Sequence, residues 1–407
     1  MNISFIKTLL LALIATSFAA SLIAFPQESL QASERGLQMW WGVVFPSLLP
    51  FFIVSELLIA FGVVKFLGVL LEPLMRPIFR VPGSGGFVWA MGMASGFPAG
   101  AKLTARLRQE EQLSQVEAER LVSFTNSSNP LFIFGAVSAG FFENVHIGVI
   151  LVLAHFLGNI LVGVMMRFYG VEEKRHTRSI KQPFLVRNAF RELHHSRLRD
   201  NRPLGKLLGD AVMSSIQTLL MIGGFIILFS VLNSILKHIS VTNILAIPIS
   251  YLFSIFQLPN ELSIPFISGL FEITLGSQLT SKVSTSLLYQ VMIVSFLLGF
   301  SGFSVHAQVA SILAQTDIRF KPFFFARIIQ GASAAFFAWV LWKPLYIKLY
   351  SIEHTDVTPV FQFNDSNPVV GYFHQLFYLG PTITISFLLL YILLYYSRHF
   401  LNKRNDY

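Results

Sequence analysis

Long apolar runs dominate the chain, and polar residues gather in short blocks between them instead of alternating with them. A helix needs about 20 mostly apolar residues to cross a bilayer. Eight runs reach that length: Phe5–Phe25, Leu37–Val64, Arg120–Phe142, Ile147–Phe168, Ala211–Leu236, Ser284–Ala314, Pro322–Tyr346 and Phe377–Tyr396. The pattern predicts an all-α integral membrane protein with about eight transmembrane helices. Phe5–Phe25 also has the form of a signal peptide, with Lys7 before the apolar stretch and Ala19-Ala20-Ser21 after it. A retained helix is the expectation, because the charged loops then fall on consistent sides.

Charge distribution orients these runs. Val171–Lys206 holds ten Lys or Arg against four acids, which places it in the cytoplasm by the positive-inside rule. Counting back puts the N-terminus inside and Glu28–Arg35 outside. Counting forward puts Asp317–Lys321 inside, the acidic stretch Glu353–Asp365 outside, and the tail with Arg398, Lys403 and Arg404 inside. The net charge of +9 is thereby accounted for, and a nucleic-acid partner is not expected. His194 and His195 lie in the basic loop as solvated side chains, without further ligands at metal spacing.

Composition agrees with a lipid environment. Only 13% of the 407 residues carry a charge, too few to clothe a soluble protein of this size, where about 25% is usual. The absence of Cys rules out disulfides, thiol catalysis and thiolate metal sites.

The second half echoes the first. Val122-Ser123-Phe124 recurs as Val294-Ser295-Phe296 at an offset of 172, and Ser95-Gly96 recurs as Ser268-Gly269 at 173. Gly100-x-Lys102-Leu103-Thr104 returns as Gly276-x-Gln278-Leu279-Thr280. The short Pro-punctuated connectors Leu71–Pro82 and Ala246–Pro259 correspond as well. An odd number of spans separates the copies, so the repeat is expected to be inverted, as in many secondary transporters. A channel or a scaffolding protein could carry the same repeat. The implied organisation is a first helix and external link (1–35), repeat one (36–170), a basic cytoplasmic loop (171–210), repeat two (211–348) and a final external loop, helix and tail (349–407).

Each copy contains a segment unsuited to a simple crossing. Gly85–Arg108 is an apolar stretch, a Ser95-Gly96-Phe97-Pro98 turn and a second limb that becomes charged; Leu262–Lys282 has the same form. Gly frees the backbone and Pro stops a helix, so both are expected to be re-entrant helical hairpins. The helix after each hairpin is interrupted, by Thr125-Asn126-Ser127-Ser128-Asn129-Pro130 in the first copy and by Gly299–Ser304 in the second. Half-helix ends attract anions at freed amides and cations at freed carbonyls. The candidate substrate or ion site is therefore Ser95, Gly96, Lys102, Thr125, Asn126, Ser127, Ser128, Asn129, Glu272, Thr274, Gln278, Ser301, Ser304 and His306.

Charges within the bilayer are costly enough to be functional candidates. Lys102 either pairs with an anionic substrate or snorkels toward the cytoplasm. Glu272 and Glu56 either bind a coupling ion or carry a proton, or they form structural hydrogen bonds; Glu56 is the candidate coupling carboxylate. His306 is either a proton partner or a structural donor. Phosphate-loop, zinc-helix and nucleophile-elbow motifs are absent from the sequence, so no enzyme activity, cofactor or metal is expected.

Several of these stretches resemble the YlbJ family of sporulation integral membrane proteins: Gly92–Ala105, Ser127–Gly135, Gly269–Gly276, Phe300–Ser311 and Arg319-Phe-Lys-Pro322. That family is similar to nucleoside-recognition "gate" domains and, more distantly, to concentrative nucleoside transporters. The resemblance implies a place in the mother-cell-derived outer membrane around the forespore. It also implies movement of dipicolinic acid from the mother cell toward the spore. Lys102, the Ser127–Asn129 amides and the second hairpin would suit such a dianion, with H+ or Na+ as coupling ion. A nucleoside or other small solute is the alternative cargo, and a non-transporting scaffold for spore-envelope assembly the alternative role. The sequence leaves the oligomeric state open.

Overall fold

Gly62 divides the second apolar run. Its φ of 79° lies in the left-handed region, which costs glycine least, and the chain bends there by 82° between Leu48–Ala60 and Val63–Phe79. The computed structural model describes residues 3–170, 185–199 and 202–347, together with Ser386. The chain divides into the units Met1–Lys348 and Leu349–Tyr407, and the helices described below belong to the first. The expected span Phe377–Tyr396 (Ser386 apart), the acidic loop Glu353–Asp365 and the basic tail lie outside the described residues.

Helix α1 covers Ile3–Ala24 and α2 Pro26–Met39, with Pro26 at a first-turn position where a missing N–H costs nothing. A π-helical stretch, Trp40–Val44, carries α2 into α3, Phe45–Ala60. Four helices follow: α4 (Val63–Phe79), α5 (Ser84–Ser95), α6 (Ala99–Gln109) and α7 (Gln115–Thr125). Helix α7 opens with a capping box, in which Ser114 Oγ accepts from Glu117 N and Glu117 accepts from Ser114 N. A π-helical segment, Phe132–Phe141, precedes α8 (His146–Met166), α9 (Leu185–Arg199), α10 (Leu204–His238) and α11 (Val241–Ile255). The remainder is α12 (Ser263–Phe271), α13 (Ile273–Ser281), α14 (Leu287–Phe300), α15 (Gly302–Leu313) and α16 (Phe320–Leu341). No strand occurs among the described residues.

Five stretches of described residues are long and apolar enough to cross a membrane: Phe5–Ala24, His146–Met166, Leu204–His238, Leu287–Leu313 and Phe320–Tyr346. The bent pair α3–α4 is a sixth candidate. Three expected spans are not single straight helices, one of them Ser284–Ala314, which is broken at Ser301 between α14 and α15. Leu37–Val64 is interrupted at Gly62, and Arg120–Phe142 is broken between α7 and the π-helical segment. The connectors also differ from expectation. Leu71–Pro82 belongs largely to α4, which tolerates Pro73 and Pro77 inside it, and Ala246–Pro259 belongs largely to α11, with Pro248 inside. A proline ring removes one backbone bond per site, and tertiary packing carries the helix through it.

Both hairpins are present. Helices α5 and α6 fold back on each other across Gly96–Pro98, and α12 and α13 across Glu272. Lipid tails are as apolar as leucine, so helices in a bilayer associate through close packing of small residues. A Cβ on Gly100 would fall inside contact distance of the Thr125 carbonyl and the Asn126 amide nitrogen. The paired motifs behave alike: Thr104 Oγ1 donates to Gly100 O at 2.7 Å, and Thr280 Oγ1 to Gly276 O at 2.7 Å.

The packing crosses between the halves. The first hairpin lies against α7 on one side and α15 on the other, in a core that includes Leu103, Leu121, Phe124, Val309 and Phe323. The second lies against α14 and the Phe132–Phe141 segment, in a core that includes Ile133, Val137, Phe266, Ile273 and Leu297. The first broken helix thus supports its own hairpin with its first half and the other hairpin with its second, whereas α15, the second half of the second broken helix, touches both hairpins.

Charged side chains gather where α4, α6, α8 and α15 end. Arg76 bridges Glu72 and Glu117 at 2.7 Å each. The buried Glu119 carboxylate receives Arg319 at 2.7 Å and the Tyr169 hydroxyl at 2.9 Å. Arg108 pairs with Asp317 at 2.7 Å.

Candidate functional site

The first helix break is held open by side chains that replace its missing backbone bonds. Asn129 donates from Nδ2 to Ser95 O at 2.9 Å and accepts from Phe132 N at 2.7 Å. One amide thereby ties the tip of the first hairpin to the start of the next helical segment. Ser128 N donates to His155 Nε2 at 3.0 Å. The carbonyls freed at the end of α7 are taken by the fully buried Arg327 of α16, which donates to Asn126 O at 2.6 Å and also to Ser123 O.

The second half uses different groups for the same purpose. Glu272 sits between the hairpin limbs in extended conformation and caps α13, its carboxylate accepting from Thr274 N at 3.1 Å and Leu275 N at 2.7 Å. Such a cap satisfies amides that would otherwise be orphaned. Asn233 of α10 donates to Ser268 O at 2.9 Å, as Asn129 does to Ser95 O. The second break is narrower than expected: a single residue, Ser301 at φ 72°, separates α14 from α15. The ring of His306 lies with Nε2 2.9 Å from Phe300 O.

These four places surround one cavity of about 640 Å³. Ser95 and Gly96 reach it from the first hairpin, Ser128 and Asn129 from the first break, Glu272 and Thr274 from the second hairpin, and Ser304 from α15. Phe97, Phe132, Leu48, Ile222 and Ile226 supply apolar and aromatic walls. Glu272 is the one charged residue among those that line it. A mostly apolar cavity with a few converging polar groups is the usual form of a small-molecule site.

The other candidates stand elsewhere. Thr125 bonds back to Leu121 O at 2.8 Å, Ser127 Oγ lies 3.4 Å from Gly92 O, and Ser301 Oγ donates to Phe300 O. These three hydroxyls, with Asn126 and His306, do not line the cavity. Gln278 is half-buried on α13, also away from the lining. Lys102 does not reach the cavity either. Its Nζ lies 3.1 Å from Glu56 Oε1 and 5.0 Å from the centre of the Phe52 ring, and Ser214 Oγ donates to the same Glu56 oxygen at 3.0 Å. The dianion contacts expected from Lys102 and from the Ser127–Asn129 amides are therefore altered: Lys102 is matched by Glu56, and the Ser128 amide by His155.

Four contributors fall outside the expected set: Gln308, His155, Asn233 and Arg327. Gln308 lines the cavity one helical turn beyond Ser304, a position that helical spacing could have found. Arg327 was marked by a lone charge inside an apolar run. His155 and Asn233 lie within long apolar helices, and their partners come from sequence-distant backbone that no local pattern reveals. His194 and His195 are exposed on α9. No group of metal-ligating side chains occurs among the described residues.

The family model described as nucleoside recognition ("Gate") matches residues 41–160 and 219–316, the two stretches that carry the hairpins and breaks. The sporulation integral membrane protein YlbJ of Bacillus subtilis (strain 168) is 58% identical over 400 residues, covering 98% of this chain and 98% of that protein. No solved structure matches the chain. With near-complete coverage at that identity, the chain belongs to the YlbJ family of sporulation integral membrane proteins.

Proposed function

We propose that the chain is a membrane carrier that moves a small planar heterocyclic solute through the cavity between the two hairpins. One observation carries the proposal: hairpin tips and helix breaks far apart in sequence converge on a single cavity of about 640 Å³. Non-helical backbone at membrane depth is tolerated where it is buried in protein or lines such a cavity. The crossed packing of the hairpins and the matching Thr104 and Thr280 bonds support an inverted repeat. In this reading about eight spans place both termini in the cytoplasm, and rocking of one repeat against the other exposes the cavity alternately to each side.

The proposed cargo is dipicolinate, a pyridine ring with two carboxylates, moved toward the forespore across its mother-cell-derived outer membrane. The kinship with a sporulation membrane protein and the aromatic faces of Phe97 and Phe132 support it. Because Glu272 faces the same space, a dianion must enter with protons or another cation, so coupling to H+ or Na+ belongs to the proposal. A neutral nucleoside is the second reading, favoured by the lack of Lys or Arg among the residues lining the cavity and by the nucleoside-recognition match. Uptake of labelled dipicolinate into proteoliposomes tests the first. Saturable uptake unaffected by excess nucleoside supports it; its absence, together with saturable nucleoside uptake, replaces it with the second.

A further inference from the structure

A second polar space lies apart from the main cavity. It is formed where α3, α6, α10 and α15 meet, has a volume of about 270 Å³, and is lined by Glu56, Lys102, Arg106, Ser214, Gln217 and Gln315 among others. Through Glu56, Arg106 and Ser214 it adjoins a further space of about 390 Å³ that reaches Lys65 and Arg202. The two form a vestibule. An apolar cluster, Leu48, Phe52, Ala99, Leu219 and Ile222, touches both: Leu48 and Ile222 line the main cavity, and Phe52 and Ala99 pack beside Glu56 and Lys102.

The vestibule differs from the main cavity in charge. Its inner part presents two cations, Lys102 and Arg106, against one carboxylate, Glu56, whereas the main cavity presents a carboxylate and no cation. The Lys102 ammonium has three donors. Among the described residues its one ionic partner is Glu56 at 3.1 Å, yet the Nζ atom is itself inaccessible at the surface of this space. A buried ammonium with spare donors is an expensive arrangement unless something else completes it. Arg106 is matched by Glu110 at 2.8 Å and is far more exposed, whereas the buried Lys102 ammonium has Glu56 alone and donors to spare.

We infer that the vestibule is a second ligand site, for a small organic carboxylate, in which the ligand displaces Glu56 from Lys102. Glu56 is a carboxylate tethered to the protein, and its place is marked by the Lys102 ammonium and the Ser214 hydroxyl. An incoming carboxylate meets the same two donors, while the space of about 270 Å³ accepts its ring beside Gln217 and Gln315. Displacement also releases α6, the second limb of the first hairpin, from α3. The apolar cluster shares Phe52 and Ala99 with those helices, so ligand arrival loosens the packing beside the main cavity. The site goes beyond the main-cavity reading and does not depend on what that cavity carries.

Internal competition gives the test an unusual sign. While Glu56 occupies Lys102, the apparent affinity for a ligand is reduced by the fraction of time the pair is open. Benzoate, with benzamide as uncharged control, is titrated against the full-length protein in detergent by calorimetry. Wild type is expected to bind benzoate and not benzamide. Glu56→Gln is expected to bind benzoate about tenfold tighter, because the competitor is gone. Lys102→Met and the double variant Glu56→Gln/Lys102→Met are expected to lose binding; the double variant leaves no lone charge, so it decides the matter if Lys102→Met does not fold. Unchanged or weaker binding by Glu56→Gln, or retained binding by the double variant, overturns the inference. A carrier that fails to transport dipicolinate but shows this pattern keeps the vestibule site and loses only the proposed cargo.

Discussion

Arg327 of α16 donates to the carbonyl of Asn126 at 2.6 Å, and so a side chain about two hundred positions away closes the end of a broken helix. Freed carbonyls at a half-helix terminus carry the negative end of the helix dipole and are natural cation ligands. Here the cation is part of the protein. Arg327→Met is expected to lower stability by about 2 to 4 kcal/mol, because it strands two buried carbonyls. Arg327→Lys is expected to recover only part of the loss, since an ammonium cannot reproduce the planar guanidinium geometry. Thermal unfolding in detergent reads both.

Asn129 joins hairpin tip to helix start with one amide group. Asn129→Ala should cost about 2 kcal/mol and weaken solute binding in the main cavity by about tenfold or more. Asn129→Asp keeps the acceptor for Phe132 N but loses the donor to Ser95 O, so it should retain stability better than binding. Equilibrium binding alongside unfolding separates the two effects.

Gly100 packs its backbone against the end of α7. Gly100→Ala gains helix propensity on an isolated scale but drives a methyl group into the Thr125 carbonyl and the Asn126 nitrogen. A net loss of about 2 to 3 kcal/mol is expected. An increase in melting temperature would contradict the close approach.

The loop between α15 and α16 should respond to acid. Hydrogen bonding from Arg108 holds the Asp317 carboxyl below the usual carboxylate range. A depressed folded-state value contributes stability above the ordinary carboxylate pKa, near 3.9, and that contribution fades as pH falls through the folded value. The pair is largely solvent-screened, so the effect is on the order of a few tenths of a kcal/mol. Protection of the amides of residues 314–319 in wild type, measured against their intrinsic exchange rate at each pH, should fall below about pH 4. Asp317→Asn should already exchange faster at neutral pH and show no such step.

Turn residues made the hairpins legible. Ser95-Gly96-Phe97-Pro98 and the Glu272 region punctuate apolar stretches too short to cross, and the limbs form where that punctuation places them. Polar residues at the first break were legible for the same reason. Lys102 was harder to place, because helical spacing puts a side chain on a face without naming the neighbour it meets. That neighbour is Glu56, forty-six positions earlier. Which polar residues line the cavity was legible only in part: hydroxyls such as Thr125 and Ser301 bond to nearby backbone instead, as serine and threonine commonly do within helices. Crossed packing was not legible at all, since nothing local in α15 specifies that it reaches the first hairpin as well as its own.

Helix α1 stands apart from all this. It is apolar apart from Lys7 and a few hydroxyls, and the described part of the molecule covers little of it, chiefly Phe18, which packs against Ala32, Val231 and Ile235. A rod that makes so few demands on its neighbours is defined by hydrophobicity and length alone. Its letters should therefore be interchangeable: an unrelated apolar segment of similar length grafted ahead of Phe25 would serve as well, whereas the same exchange in α7 or α14 would dismantle the site.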